Sequence, residues 1–263
     1  MFNNHTYIAN QIVVFTAVIS SCSCGEKSNP VTKNIIDSTR MHGIYPRDHK
    51  LTFKERKVLT NKFLIQKGIP ILESLPDVVD YREASFRDQK EIASKCVVLY
   101  GLMYVANLKK PAKEIMGYFK KYDLWKYVSP KERVYLLAPA RTKKDNINIS
   151  WRIENLNVLL WALGQSDSLV YPNVECRISD YKNLPNLNGD PTEWINKAKI
   201  RSTEDILNET DLIYRIHWAT EEASINGEHM PAGLNEDVVE ERHFALNWLT
   251  MYEKLWDDIT TDT

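Results

Sequence analysis

Ser150-Trp151-Arg152-Ile153-Glu154-Asn155-Leu156-Asn157-Val158-Leu159-Leu160-Trp161-Ala162-Leu163-Gly164 carries the punctuation of one helix. Ser150 can cap its start, and Gly164 can stop it after Leu163. Turned by about 100° per residue, its apolar side chains point in every direction: Trp151, Ile153, Leu156, Val158, Leu159, Leu160, Trp161 and Leu163 leave no polar face. A helix of that kind belongs in an interior, so the sequence predicts a buried central helix over 151–163. The fold class that follows is mainly α, a single compact multi-helix domain with at most a few short strands.

The flanking segments supply the helices that cover it. On the N-terminal side, helices are predicted over Leu51 to Gln66, Asp88 to Leu108, Pro111 to Tyr122 and Pro130 to Leu137. The second has an amphipathic stripe at Ile92, Cys96, Leu99 and Met103. Two prolines make residues 69–76 extended, and Pro139 to Ile149 reads as a polar, Lys-rich loop. On the C-terminal side, Tyr171 to Pro191 reads as a long loop with at most one short strand. Ser202 followed by Asp205 resembles a capping box that opens a helix ended by Asn226-Gly227, and Asn235 caps a last helix reaching about Tyr252.

Composition places the chain among ordinary globular proteins, with 43% hydrophobic and 26% charged residues in 263. The net charge of −1 hides a split. Residues 50–150 carry 21 Lys and Arg against 11 Asp and Glu, whereas residues 151–263 carry 9 against 21. Lys109, Lys110, Lys113, Lys120 and Lys121 read as the solvated side of a helix, and no recognised nucleic-acid motif accompanies them, so no nucleic-acid partner is expected. Only 9 glycines and no phosphate-cradling loop argue against a Rossmann unit. The cysteines Cys22, Cys24, Cys96 and Cys176 have neither zinc spacing nor a disulfide framework.

Helical wheels of the two C-terminal helices put some charges where charge is costly. Asn208, Asp211, Arg215 and Glu222 share one stripe, read as the solvent side, whereas His217 and Glu221, four apart, fall on the opposite, buried side. In the last helix Glu240, His243, Asn247 and Thr250 share a polar stripe, and Glu241 and Arg242 point into the apolar sector. Arg152 and Glu154 of the central helix complete the set. Unpaired, each such charge costs several kcal/mol, so Arg152, Glu154, His217, Glu221, Glu241 and Arg242 need partners. They form a structural network satisfying itself, or the lining of a ligand pocket, or a metal site through His217 with Glu221 or Glu240 with His243. Di-iron bundles use two Glu-x-x-His segments, of which this chain has one, so no metal and no cofactor is expected. No G-x-S-x-G is present, and no Ser or Cys has the context of a nucleophile.

The N-terminal region has its own logic. Ile12 to Ile19 is too short an apolar run to span a bilayer as a helix and leads into Ile19-Ser20-Ser21-Cys22. That order of aliphatic, small, small and Cys resembles a bacterial lipoprotein cleavage box, which implies lipidation at Cys22; Met1 to Gln11, lacking Lys and Arg, departs from the pattern. The expected organisation is a lipoprotein signal peptide over 1–21, a flexible polar tether over 22–50 and a helical domain over 51–263. The expected location is membrane-anchored, through the lipid alone, with the cytoplasm as the alternative.

Several long motifs occur together in a definite order. They are Gly68-Ile69-Pro70 with Leu75-Pro76, Glu91-Ile92-Ala93, Ser150 to Glu154 running on to Leu160-Trp161-Ala162-Leu163-Gly164, and Asp211-Leu212-Ile213-Tyr214-Arg215-Ile216-His217-Trp218-Ala219. Pro231-Ala232-Gly233-Leu234, Val239 to Trp248 and Trp256 to Thr263 follow. Over about residues 55 to 263 the chain is similar to the bacterial family called domain of unknown function 4272. The resemblance implies one domain running to the last residue and no particular activity. The residues themselves favour a non-catalytic binding or interaction module for a small molecule or protein; the alternative is an enzyme with an acid/base site around His217 and Glu221.

Overall fold

Capping residues set the helix boundaries. Thr52 accepts from the Glu55 amide while the Glu55 carboxylate accepts from the Thr52 amide, and this box opens α1, Phe53–Gln66. Asp88 opens α2, Gln89–Ala106, by accepting from the amides of Lys90 and Glu91. Then come α3, Ala112–Lys121, and α4, Pro130–Leu137, the latter with a Ser129–Glu132 box and proline in its first turn. α5 covers Lys143–Ser150, α6 Arg152–Ala162 and α7 Thr192–Asn196. Ser202 caps α8, Thr203–Ile225, and Asn235 caps α9, Glu236–Leu249. α6 and α8 are closed by Gly164 and Gly227 at φ +69° and +66°, a conformation in which any Cβ would be strained.

This is a computed structural model, and it describes residues 43–46, 50–107, 109–177, 181 and 183–263. The predicted signal peptide, Cys22 and most of the predicted tether lie outside the described residues. The described residues belong to one unit, Asp37–Thr263. They include no strand, so the fold is mainly α, as predicted. None of their helices is long and apolar enough to cross a membrane.

α6 is the central helix. It packs against α2 and α9, α9 in turn packs on α8, and α8 on α1. Every residue from Ile153 to Leu163 is buried, and each fully buried Leu or Ile contributes roughly 1.5–3 kcal/mol by leaving water. α2 is buried without a break from Ile92 to Leu99, because α3, α5, α6 and α7 surround it; the predicted apolar stripe was too narrow. Gly101 allows α3 its close approach, since a Cβ there would lie 2.5 Å from the Phe119 ring. Lys95, inside α2, is satisfied by Glu132 at 2.7 Å and by the Trp256 ring at 3.9 Å, so a C-terminal residue helps cover the core.

Three local expectations fail. The Lys-rich loop contains α5, opened by a Thr142–Asp145 box, because local capping outweighs a weak apolar pattern. Ser150 does not cap α6: it ends α5 and donates back to the Ile147 carbonyl, and Trp151, in αR, runs α5 into α6. Asp211 and Arg215, read as solvent-facing, are buried because α1 lies over that stripe of α8.

Candidate functional site

The six charged residues picked out by position do not form one cluster; they divide by depth. Deepest is the pair between α6 and α9. Arg242 Nε donates to Glu154 Oε2 at 2.9 Å, with both side chains at 0% exposure. Glu154 Oε1 accepts from the Cys176 amide at 2.6 Å, and Arg242 Nη1 donates to the Val170 carbonyl at 2.6 Å. The pair therefore also fixes residues 170–176 on the core. Glu209 of α8 faces the same guanidinium; burial raises its carboxyl to about 7, with Arg242 and Arg201 opposing the rise.

Arg152 and Glu241 pair at the rim. Arg152 Nη1 lies 3.1 Å from Glu241 Oε2, the two side chains are 25% and 20% exposed, and the guanidinium stacks on Phe244 at 4.8 Å. Glu241 is thus less deeply placed than its helical position implied. Burial still raises its carboxyl, and Arg152 opposes that rise.

His217 and Glu221 belong to a third group, joined by a residue outside the six. His217 Nδ1 and His243 Nδ1 are 2.9 Å apart in the α8–α9 contact, so one nitrogen carries the proton and the other accepts it. On its far side, His217 Nε2 faces Glu221 Oε1 at 3.6 Å, and His217 also hydrogen-bonds the backbone of Thr261. The Glu221 carboxylate favours a proton on Nε2 of His217. Its Nδ1 is then the acceptor, His243 donates from Nδ1, and His243 Nε2 keeps its lone pair. Burial depresses the His217 pKa, with Glu221 opposing, and takes His243 down to about 3 with help from His217, so both rings are neutral. Glu221 is half-exposed and accepts from the Thr263 hydroxyl at 3.1 Å.

Beside this pair the surface opens into a cleft of about 880 Å³, within the range of small-molecule sites. One wall is the segment 72–79 with Glu83 and Ser85, the region predicted as extended, which contains a turn closed by Leu75 N to Leu72 O. Thr210 and Tyr214 of α8 form another, and His243 and Asn247 of α9 the floor. The turn at 250–252 and residues 262–263 complete it. His243 reaches the cleft, and its Nε2 makes no hydrogen bond among the described residues. His217 sits one ring behind.

A fourth group escaped the sequence reading. Thr60 Oγ1 donates to Asp211 Oδ2 at 2.5 Å, Asp211 holds Arg215 at 2.8 Å, and Arg56 Nε donates to Asn208 Oδ1 at 3.0 Å. These bonds join α1 to α8, which makes this a structural seam, although Arg56 Nη1 and Arg215 Nη1 are buried without a hydrogen-bond partner among the described residues. The signal available was the polar, β-branched face of α1 at Arg56 and Thr60, which matches the polar stripe of α8. The paired Glu240 and His243 diverge: Glu240 is exposed and His243 buried. Among the described residues no three His, Cys, Asp or Glu are grouped to hold a metal ion.

The family model described as "Domain of unknown function (DUF4272)" matches residues 56–259, and the chain belongs to that family. No curated protein and no solved structure matches the chain.

Proposed function

We propose that this member of the DUF4272 family is a binding module that takes a small organic ligand into the cleft floored by His243. The observation that carries the reading is the juxtaposition of an open volume with a buried imidazole whose outer nitrogen has no partner. A nearly buried imidazole that opens its unpaired nitrogen to a concave, largely apolar space offers a fixed polar point for a ligand group. The Arg242–Glu154 and Asp211–Arg215 groups are closed and paired, which supports a scaffold role for them. The Ile19-Ser20-Ser21-Cys22 box supports a lipid tether that holds the module at a membrane.

A test uses substitution at the exposed mouth. Fragment binding to the wild-type protein, followed by ligand-observed NMR, should give hits that Ser74→Trp and Ser85→Trp both remove. Hits unaffected by either substitution place binding elsewhere and overturn the reading.

A second reading, acid/base catalysis, is favoured by the Glu221–His217–His243 chain, which leaves His243 Nε2 as a base at the cleft. It ranks below binding because, among the described residues, no Lys or Arg lines the cleft to stabilise a developing anion.

A further inference from the structure

We infer that the cleft takes an organic cation, an amine with an apolar body, whose ammonium group donates to His243 Nε2; this rests on the binding reading above. The buried end of the cleft determines what can dock there. His243 is 2% exposed, its Nδ1 is committed to His217, and Nε2 presents a lone pair. A ligand must bring a donor to that point, and an anion would set lone pair against lone pair.

Charge selects among donors. Asp77, Glu83 and Asp262 line the cleft, and among the described residues no Lys or Arg does. Lys57 reaches Asp77 at 3.6 Å and offsets one of the three. Glu83 has no ion pair among the described residues, and Asp262 takes the Thr260 hydroxyl at 2.8 Å. Two uncompensated carboxylates at the rim of a half-enclosed space attract a cation and repel an anion.

The walls select the body of the cation. Tyr214 and Tyr252 also line it, and aromatic rings draw ammonium groups by their quadrupole. Leu72, Val79 and Met251 are exposed apolar residues in the same lining, with surface that an apolar body would cover. A bare metal ion does not suit these groups, which are spread along the walls and not gathered about one point.

Isothermal titration of the full chain at neutral pH with three probes of one shape tests this: 2-phenylethylamine, 2-phenylethanol and 3-phenylpropanoate. The amine should bind at least about tenfold more tightly than the alcohol, the sum of a modest cation–π contact and a charge-assisted hydrogen bond. The carboxylate should bind more weakly than either. Glu83→Gln combined with Asp262→Asn, both at exposed positions, should weaken the amine several-fold and leave the alcohol unchanged. The 15N signal of His243 Nε2 should move on adding the amine. Equal binding of amine and alcohol, preference for the carboxylate, or a stationary His243 signal overturns the ligand class and leaves the cleft as a binding site. Binding of none of the three, together with no fragment hit in the cleft, overturns both.

Discussion

Arg242 Nε meets Glu154 Oε2 at 2.9 Å across the α6–α9 contact, with neither side chain reaching solvent. Two residues back along α6, Arg152 meets Glu241 at a similar 3.1 Å, but at the rim. The two pairs have nearly the same geometry and different surroundings, and the surroundings decide what each is worth. Desolvation makes a buried ion pair costly to assemble and costlier to break, because the partner left behind keeps its charge without water. At the rim, water and counter-ions take over the role of the missing partner.

Arg242→Met should therefore destabilise by about 3–5 kcal/mol, and Arg152→Met by less than about 1 kcal/mol. Urea denaturation of both, with a double-mutant cycle for Arg242 and Glu154, measures the difference. Equal losses for the two substitutions would show that depth does not separate the pairs. Glu241→Gln should behave like Arg152→Met and not like Arg242→Met.

The histidine pair makes stability depend on pH. Both rings are neutral in the fold, with His243 lowered to about 3 from an ordinary 6.5. Between those values the unfolded chain binds protons that the folded chain refuses. The stabilisation is complete above about pH 6.5 and falls on acidification, by about 1.4 kcal/mol per pH unit for each histidine kept neutral, levelling only near pH 3. Glu209, raised by burial to about 7, works in the opposite sense, since its contribution is lost as pH rises from 4.5 through 7. The comparison is therefore between wild type and His243→Phe, measured at pH 7.5 and pH 5. The wild type should lose more stability than the variant; parallel losses would mean that the fold tolerates the imidazolium.

Gly101→Ala should destabilise although alanine is the better helix former. The new methyl would meet Phe119, a fully buried ring, at 2.5 Å. Overpacking of this kind costs about 1–3 kcal/mol, more than the roughly 1 kcal/mol of helix propensity gained. Adding Phe119→Leu should recover part of the loss. Thermal denaturation of the three proteins decides it, and a stabilised Gly101→Ala would mean that α3 yields.

Cys22→Ala tests the tether independently of the fold. With a lipid on Cys22, wild type should partition with membranes and the variant should be soluble or remain as an uncleaved precursor. Fractionation with mass analysis of the N-terminus distinguishes these results, and an unchanged distribution with an intact leader argues against lipidation.

Much of the architecture was legible in the chain itself. Residues 151–163 read as a buried helix because their apolar positions leave no polar face, and periodicity is a local property that needs no knowledge of the neighbours. Caps at Ser202 and Asn235 were legible for the same reason, since each is settled within three residues. The demand that Arg242 and Glu154 have partners also followed from sequence, because a charge inside an apolar sector is costly whatever the fold.

Tertiary structure alone decided which polar stripe meets water and which partner each charge takes. Asp211 and Arg215 form a stripe that any helical wheel would give to solvent, yet Thr60, 151 residues away, covers it. His243 shares a stripe with exposed Glu240, but its ring turns to His217 across the α8–α9 contact. The cleft is assembled from segments around 72–85, α8, α9 and the last residues. A wheel records directions around one helix axis, whereas burial, hydrogen-bond pairing and enclosed volume depend on what packs against that axis from elsewhere in the chain.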